Sequence, residues 1–241
     1  MQSVYIDIPM KQSAANYFVI VPAAGVGTRM KSDIPKQYLA VKDKCILEYT
    51  LNTLLNYPAF EKCMVVINEH DKNWPSIKLA HPKLITTTGG KERVNSVFNG
   101  LIALKPFIKE NDWVLVHDAA RPFLHPSDID KLITEIGDDP LGGLLGSPSK
   151  NTIKRIENKH CLETLDRQKI WQALTPQMFR YHWIFKALNS AIEKQQTITD
   201  ESNAIELLGQ HPKIIEGRSD NIKITDRYDL AFFDYYIQRQ Q

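Results

Sequence analysis

Short runs of consecutive apolar residues alternate along this chain with segments whose apolar positions recur every three or four residues. Tyr17 to Val21 reads as a buried strand that stops at Pro22 and a loop of small residues. Ile46 to Tyr57 places Ile46, Leu47, Leu51, Leu54 and Leu55 at helical spacing, which predicts an amphipathic helix. Cys63 to Ile67 and Leu84 to Thr88 are further strands, the latter ending at Gly89-Gly90. Arg93 to Leu104 is helical, with Val94, Val97, Leu101 and Leu104 on one face. Trp113 to Val116 is another apolar strand, closed by His117 and Asp118, and Pro126 to Ile136 is helical with Ser127 or Asp128 as candidate cap.

Near-continuous apolar strands alternating with helices are the mark of an α/β fold: a mainly parallel, Rossmann-like sheet covered by helices on both faces. Ligands of such sheets bind beyond the carboxyl ends of the strands. The unusual clusters of this sequence fall at those ends, after Val21, Thr88 and Val116, so three loops converge on one crevice. The alternation breaks between about 141 and 174. Leu141 to Gly146 reads as an inner strand, then Asn151 to Ile156 and His160 to Asp166 as a polar hairpin turning near Asn158. With so little apolar surface, this arm (about 148–168) is expected to protrude and to pack on a second subunit. Helices from about Phe179 to Lys194 and Asp200 to Leu208, a strand near Ile214 and Ile215, and a helix from about Tyr228 complete the chain. The expected organisation is a flexible extension over 1–16 and one domain over 17–241.

Composition narrows the classes. With 241 residues, 43% hydrophobic and 24% charged, the chain can bury a substantial core. A net charge of +2 argues against nucleic acid or a membrane as partner and leaves positive potential to be gathered around a small anion. Three widely spaced cysteines, Cys45, Cys63 and Cys161, signal neither a zinc site nor a disulfide framework. With no basic start ahead of an apolar run and no stretch of about 18 apolar residues, a cytoplasmic setting is expected.

The loop after Val21 reads Pro22-Ala-Ala-Gly-Val-Gly-Thr-Arg-Met30. Glycines at 25 and 27 let backbone N–H groups approach a phosphate. It is not a P-loop, and the dinucleotide fingerprint fails because Met30 stands where glycine or alanine is needed. Arg29 and Lys36, the latter set by Pro35, are two cations able to face a triphosphate.

Together the loops resemble one family. Ala23 to Met30 with Pro35 to Leu39, Gly89 to Arg93 with Ser96 and Val97, and Val116 to Pro122 look like the signature of the 2-C-methyl-D-erythritol 4-phosphate cytidylyltransferases. The resemblance resumes at Asp166-Arg167, Leu174 to Gln177, Thr199 to Glu201, Glu216 to Arg218 and Asp220 to Thr225. It implies a transferase that moves CMP from CTP to methylerythritol phosphate with Mg²⁺, in the non-mevalonate isoprenoid pathway. It also implies a homodimer with shared active sites.

By that resemblance Arg29, Lys36 and Lys223 are catalytic. Pro22, Ala23, Ala24, Gly25, Gly27, Gly90, Arg93, Ser96, Asp118 and Ala119 are expected to hold CTP, with backbone groups of the Gly-Gly turn reading cytosine. Asp118, Arg121, Thr152, Arg167, Thr175 and Lys223 are expected around the acceptor, Thr152 and Arg167 coming from the other subunit's arm. Asp118 is also the expected Mg²⁺ ligand. Arg121 is open between a pocket-edge charge and a structural partner for a carboxylate. Asp200 and Glu201 are open between helix capping and function. Lys91, where the family often has a small or acidic residue, is a departure. A ribitol 5-phosphate cytidylyltransferase is the nearest alternative, and an inactive CTP-binding protein is one of a different class.

Overall fold

The computed structural model describes residues 15–25 and 34–239. Seven strands form one sheet in the order β5-β4-β1-β6-β10-β7-β11. These are β1 (Tyr17–Pro22), β4 (Phe60–Ile67), β5 (Leu84–Thr88), β6 (Trp113–Val116), β7 (Gly142–Pro148), β10 (Trp171–Arg180) and β11 (Lys213–Glu216). The short pair β2 (Ala40–Val41) and β3 (Lys44–Cys45) stands apart, as does the hairpin of β8 (Ile153–Glu157) and β9 (His160–Leu165). The helices are α1 (Ile46–Asn56), α2 (Arg93–Leu104), α3 (Pro126–Ile136), α4 (Tyr181–Glu193), α5 (Glu201–Glu206) and α6 (Arg227–Arg239). Among the described residues no helix is long and apolar enough to cross a membrane.

The central strands are near-continuously apolar where both faces are covered. In β1, Val19 and Val21 face the layer of α1 and α3, while Phe18 and Ile20 face α2, α4 and α5. The same alternation holds in β4 (Cys63 and Val65 against Met64 and Val66) and in β6 (Trp113 and Leu115 against Val114 and Val116). Each fully buried aliphatic side chain contributes about 1.5–3 kcal/mol. Gly100 of α2 lies so close to β1 that a Cβ there would sit 3.0 Å from the Ile20 side chain.

All neighbouring pairs in the sheet are parallel except those of β10, which runs antiparallel to β6 and β7. The mainly parallel reading therefore stands, with β10 as a strand that the sequence did not disclose. Phe179 and Arg180, expected to start a helix, end β10 instead, and α4 begins at Tyr181. Its Pro176 is tolerated because the register against β7 shifts between Ala173 and Gln177, so no ladder bond is lost there. The cap of α3 is also neither Ser127 nor Asp128: the His125 side chain accepts from the Ser127 N–H, with Pro126 opening the helix.

From β1 the chain moves outward to β4 and β5, then returns to β6 on the other side of β1. That reversal opens a crevice at the carboxyl ends of β1 and β6. Of the proposed extension only Ala15 and Asn16 are described, and Asn16 is tied to the sheet by bonds to Asp112 and Trp113. The arm is exposed along most of both strands, with Ile156 and Leu162 on its surface.

Candidate active site

A cleft of about 360 Å³ opens at this switch point. One wall is Pro22 to Gly25, the floor Asp118 to Ala120, and the far wall Gly90 to Arg93 with Ser96. Lys36, Gln37, Lys223 and Thr225 close the remaining side.

The glycine loop is held from beneath. Gln37 is buried and its amide donates to the carbonyls of Ala23 at 2.7 Å and Gly25 at 2.9 Å. Ala23 N–H reaches Val66 O and Gly89 N–H reaches Ile67 O, so the loops after β1 and β5 are both tied to β4. Gly89 is required by close approach, since a Cβ there would lie 2.5 Å from that of Ala24. Ser96 Oγ accepts from the Gly90 N–H and donates to Glu92 O, which shapes the turn as well as lining the cleft.

Asp118 is the centre of charge. Its carboxylate is buried and meets Lys223 Nζ at 3.0 Å, Arg121 Nε at 3.2 Å and Arg93 Nη2 at 3.4 Å. Burial alone would raise its pKa, but the three cations together hold it well below the ordinary carboxylate range. Arg93 is in turn gripped by Glu201, with bonds of 2.6 and 3.1 Å to its two oxygens. Burial works against the Arg93 charge; Glu201 and Asp118 outweigh it and raise its pKa.

Behind Asp118 lies a chain of buried hydrogen bonds in which, among the described residues, the Asn221 Oδ1 alone is left without a partner. His117 is buried; burial pushes it down to about 4, so it is neutral near pH 7. Its Nε2 faces the Arg121 carbonyl, which can only accept, so Nε2 carries the proton and Nδ1 accepts from the Thr175 hydroxyl. Thr175 Oγ1 accepts from the Asp118 N–H, which uses the hydroxyl in both directions. Arg121 donates to Asn221 O, and Asn221 donates to Thr175 O.

These bonds sort the expected site residues. Pro22, Ala23, Ala24, Gly25, Lys36, Gly90, Arg93, Ser96, Asp118, Ala119 and Lys223 meet in the cleft. Gly27 and Arg29 lie outside the described residues. Arg121 and Thr175 do not line the cleft, because their polar groups are engaged beneath it. Thr152 and Arg167 stand exposed at the base of the arm, where Arg167 donates to the Lys150 carbonyl, and they do not line this chain's cleft.

Asp118, the expected Mg²⁺ ligand, is ringed by cations. One of its oxygens faces Arg93 and the other Arg121 and Lys223. Among the described residues no group of three or more His, Cys, Asp and Glu side chains could hold a metal ion.

Sequence reading gave Gln37, His117, Asn221 and Thr225 no role. Lys36 Nζ donates to Ile224 O at 3.1 Å, a partner 188 residues away. Such contacts leave no local periodicity, although Gln37 stood inside a block already singled out.

The model of the 2-C-methyl-D-erythritol 4-phosphate cytidylyltransferase (IspD) family matches residues 17–239. A relative of that name from Aliivibrio fischeri (strain ATCC 700601 / ES114) is 47% identical over 227 residues, covering 92% of this chain and 94% of its own. One from Pseudomonas putida (strain GB-1) is 46% identical over 219 residues, with 90% and 93% covered. Among solved structures, a 4-diphosphocytidyl-2C-methyl-D-erythritol synthase superposes with a TM-score of 0.81 at 31% identity, covering 92% of this chain and 99% of that one. The Francisella tularensis 2-C-methyl-D-erythritol 4-phosphate cytidylyltransferase gives 0.80 at 34%, with the same coverage.

Proposed function

Because this chain belongs to the 2-C-methyl-D-erythritol 4-phosphate cytidylyltransferase family, we propose that its β1/β6 cleft holds CTP while Lys36 and Lys223 bring the two phosphates together. The reaction transfers CMP from CTP to 2-C-methyl-D-erythritol 4-phosphate in isoprenoid precursor biosynthesis, giving 4-diphosphocytidyl-2-C-methyl-D-erythritol and pyrophosphate. An oxygen of the acceptor phosphate forms a bond to the α-phosphorus of CTP, and the bond from that phosphorus to the bridging oxygen of pyrophosphate breaks. Little covalent chemistry falls to the protein; it aligns two anions and stabilises charge on the transferring phosphorus.

One observation carries the assignment of roles. Two lysine ammoniums, Lys36 and Lys223, border the same cleft as the glycine loop, one anchored on a carbonyl and the other on a buried carboxylate. Lys36 and Arg29 face the triphosphate in this reading. Lys223 sits between Asp118 and the acceptor phosphate. Backbone groups of Ala23 to Gly27, with Gly90 and Ser96, hold cytosine and the phosphates. Arg121 and Thr175 position Asp118 rather than touch substrate. Mg²⁺ would enter with the triphosphate and neutralise phosphate charge, with Asp118 as the carboxylate of this chain expected to hold it.

Thr152 and Arg167 complete the acceptor pocket of a second copy in a homodimer. Their exposure on an arm without a core of its own supports this placement. A cytoplasmic setting agrees with three free cysteines.

Pyrophosphate release tests the assignment. It should require both CTP and methylerythritol phosphate, with ribitol 5-phosphate, ATP and GTP poor replacements. Equal turnover with ATP or GTP would overturn the cytidine assignment, and equal turnover with ribitol phosphate the acceptor.

A further inference from the structure

Glu201 does not line the cleft, yet it controls how one wall is held. Its side chain is 1% exposed, and it opens α5. The capping there is done by Asp200, whose carboxylate accepts from the Asn203 N–H at 2.9 Å. Glu201 is thus free of the helix end, and both its oxygens take the guanidinium of Arg93 from 108 residues away. The same guanidinium reaches Asp118 at 3.4 Å and borders the cleft.

A buried ion pair gives little stability over apolar residues of the same volume. What an apolar pair cannot do is fix the plane of a fork and divide its charge. With oxygens at 2.6 and 3.1 Å, Glu201 holds Arg93 more closely than Asp118 does at 3.4 Å. Asp118 is thereby left to Lys223 at 3.0 Å, and the Arg93 charge is neutralised at the wall.

We propose that Glu201 is a positioning residue for CMP transfer: it holds Arg93 back from the triphosphate and keeps the Asp118–Lys223 pair set for the acceptor. Without it, Arg93 turns into the cleft and grips CTP in the ground state. Binding of that kind lowers KM without raising turnover.

This inference rests on the cytidylyl-transfer reading, and the wild-type assay separates the two. An inactive wild type would fail the reading itself. With an active wild type, Glu201→Gln should lower kcat about 10- to 100-fold and leave KM for CTP unchanged or reduced. The double variant Arg93→Met/Glu201→Leu leaves no charge unpaired and lacks the fork that would turn into the cleft, so it should fold and keep kcat near wild type, and it carries the test if Glu201→Gln is unstable. Wild-type kcat in folded Glu201→Gln overturns the proposal, and so does a folded double variant that loses kcat about 10-fold or more. So does a raised KM for CTP with kcat preserved, and so does failure of the double variant to fold, which would make the pair structural.

Discussion

The cleft and the arm handle polar groups in opposite ways. Around Asp118, five cations and polar groups from α2, the loop after β6, β10 and the segment before α6 are tied by hydrogen bonds and ion pairs, and all but Arg121 lie far from Asp118 in sequence. On the arm, Arg155 and Glu163 pair at 3.0 Å with side chains 62% and 49% exposed, and Ile156 and Leu162 face outward. The described part of the cleft is held together by bonds within one chain. The arm has no such closure, and the proposed function has its side chains act against a second copy.

This contrast can be broken at several points. Lys36→Ala removes a charge that the proposed function assigns to the triphosphate and should lower kcat about a hundred- to a thousandfold with an unchanged fold by circular dichroism. A near-normal rate would remove the cleft's claim to the chemistry. Next in size is the acid stability of the scaffold. The folded state keeps His117 neutral down to about 4, while the unfolded chain takes a proton near the ordinary 6.5. Stability should therefore fall as pH drops from 6.5 towards 4, by roughly 3 kcal/mol from this residue. Denaturant titrations of the wild type and His117→Gln should show the slope flattened in the variant; equal slopes would contradict it.

On the arm, Arg167→Ala should raise KM for methylerythritol phosphate about tenfold or more, through loss of a charged contact, and leave CTP affinity alone. A defect confined to CTP would misplace it. The smallest effect belongs to the exposed pair: removing Arg155 and Glu163 together should change melting free energy by less than about 1 kcal/mol. A larger loss would show that the arm is buried against something.

Much of the fold was legible because both-sided burial writes itself as apolar runs. Val19 to Val21, Met64 to Val66 and Val114 to Val116 could be read directly, as could α2 from its stripe of Val97, Leu101 and Leu104. β10 was not, because Gln172, Thr175, Pro176 and Gln177 interrupt it and its first residues are half-exposed or exposed. In the site, the loops at strand ends marked the cleft. The division of labour inside it did not show. Thr175 and Arg121 look like ligands in a motif, but their hydrogen bonds run to His117, Asp118 and Asn221. Glu201 looks like a helix cap, but its neighbour caps and it binds Arg93 instead.

The central claim is that an active site joins the cleft of one copy to the arm of another. Co-expressing Lys36→Ala with Arg167→Ala tests it most directly. Random pairing makes half the dimers mixed, and each mixed dimer has one intact cleft facing one intact arm. With methylerythritol phosphate well below KM, activity should recover to about a quarter of wild type, above either variant alone. Activity no higher than the mean of the two variants would contradict it and return Arg167 to its own chain.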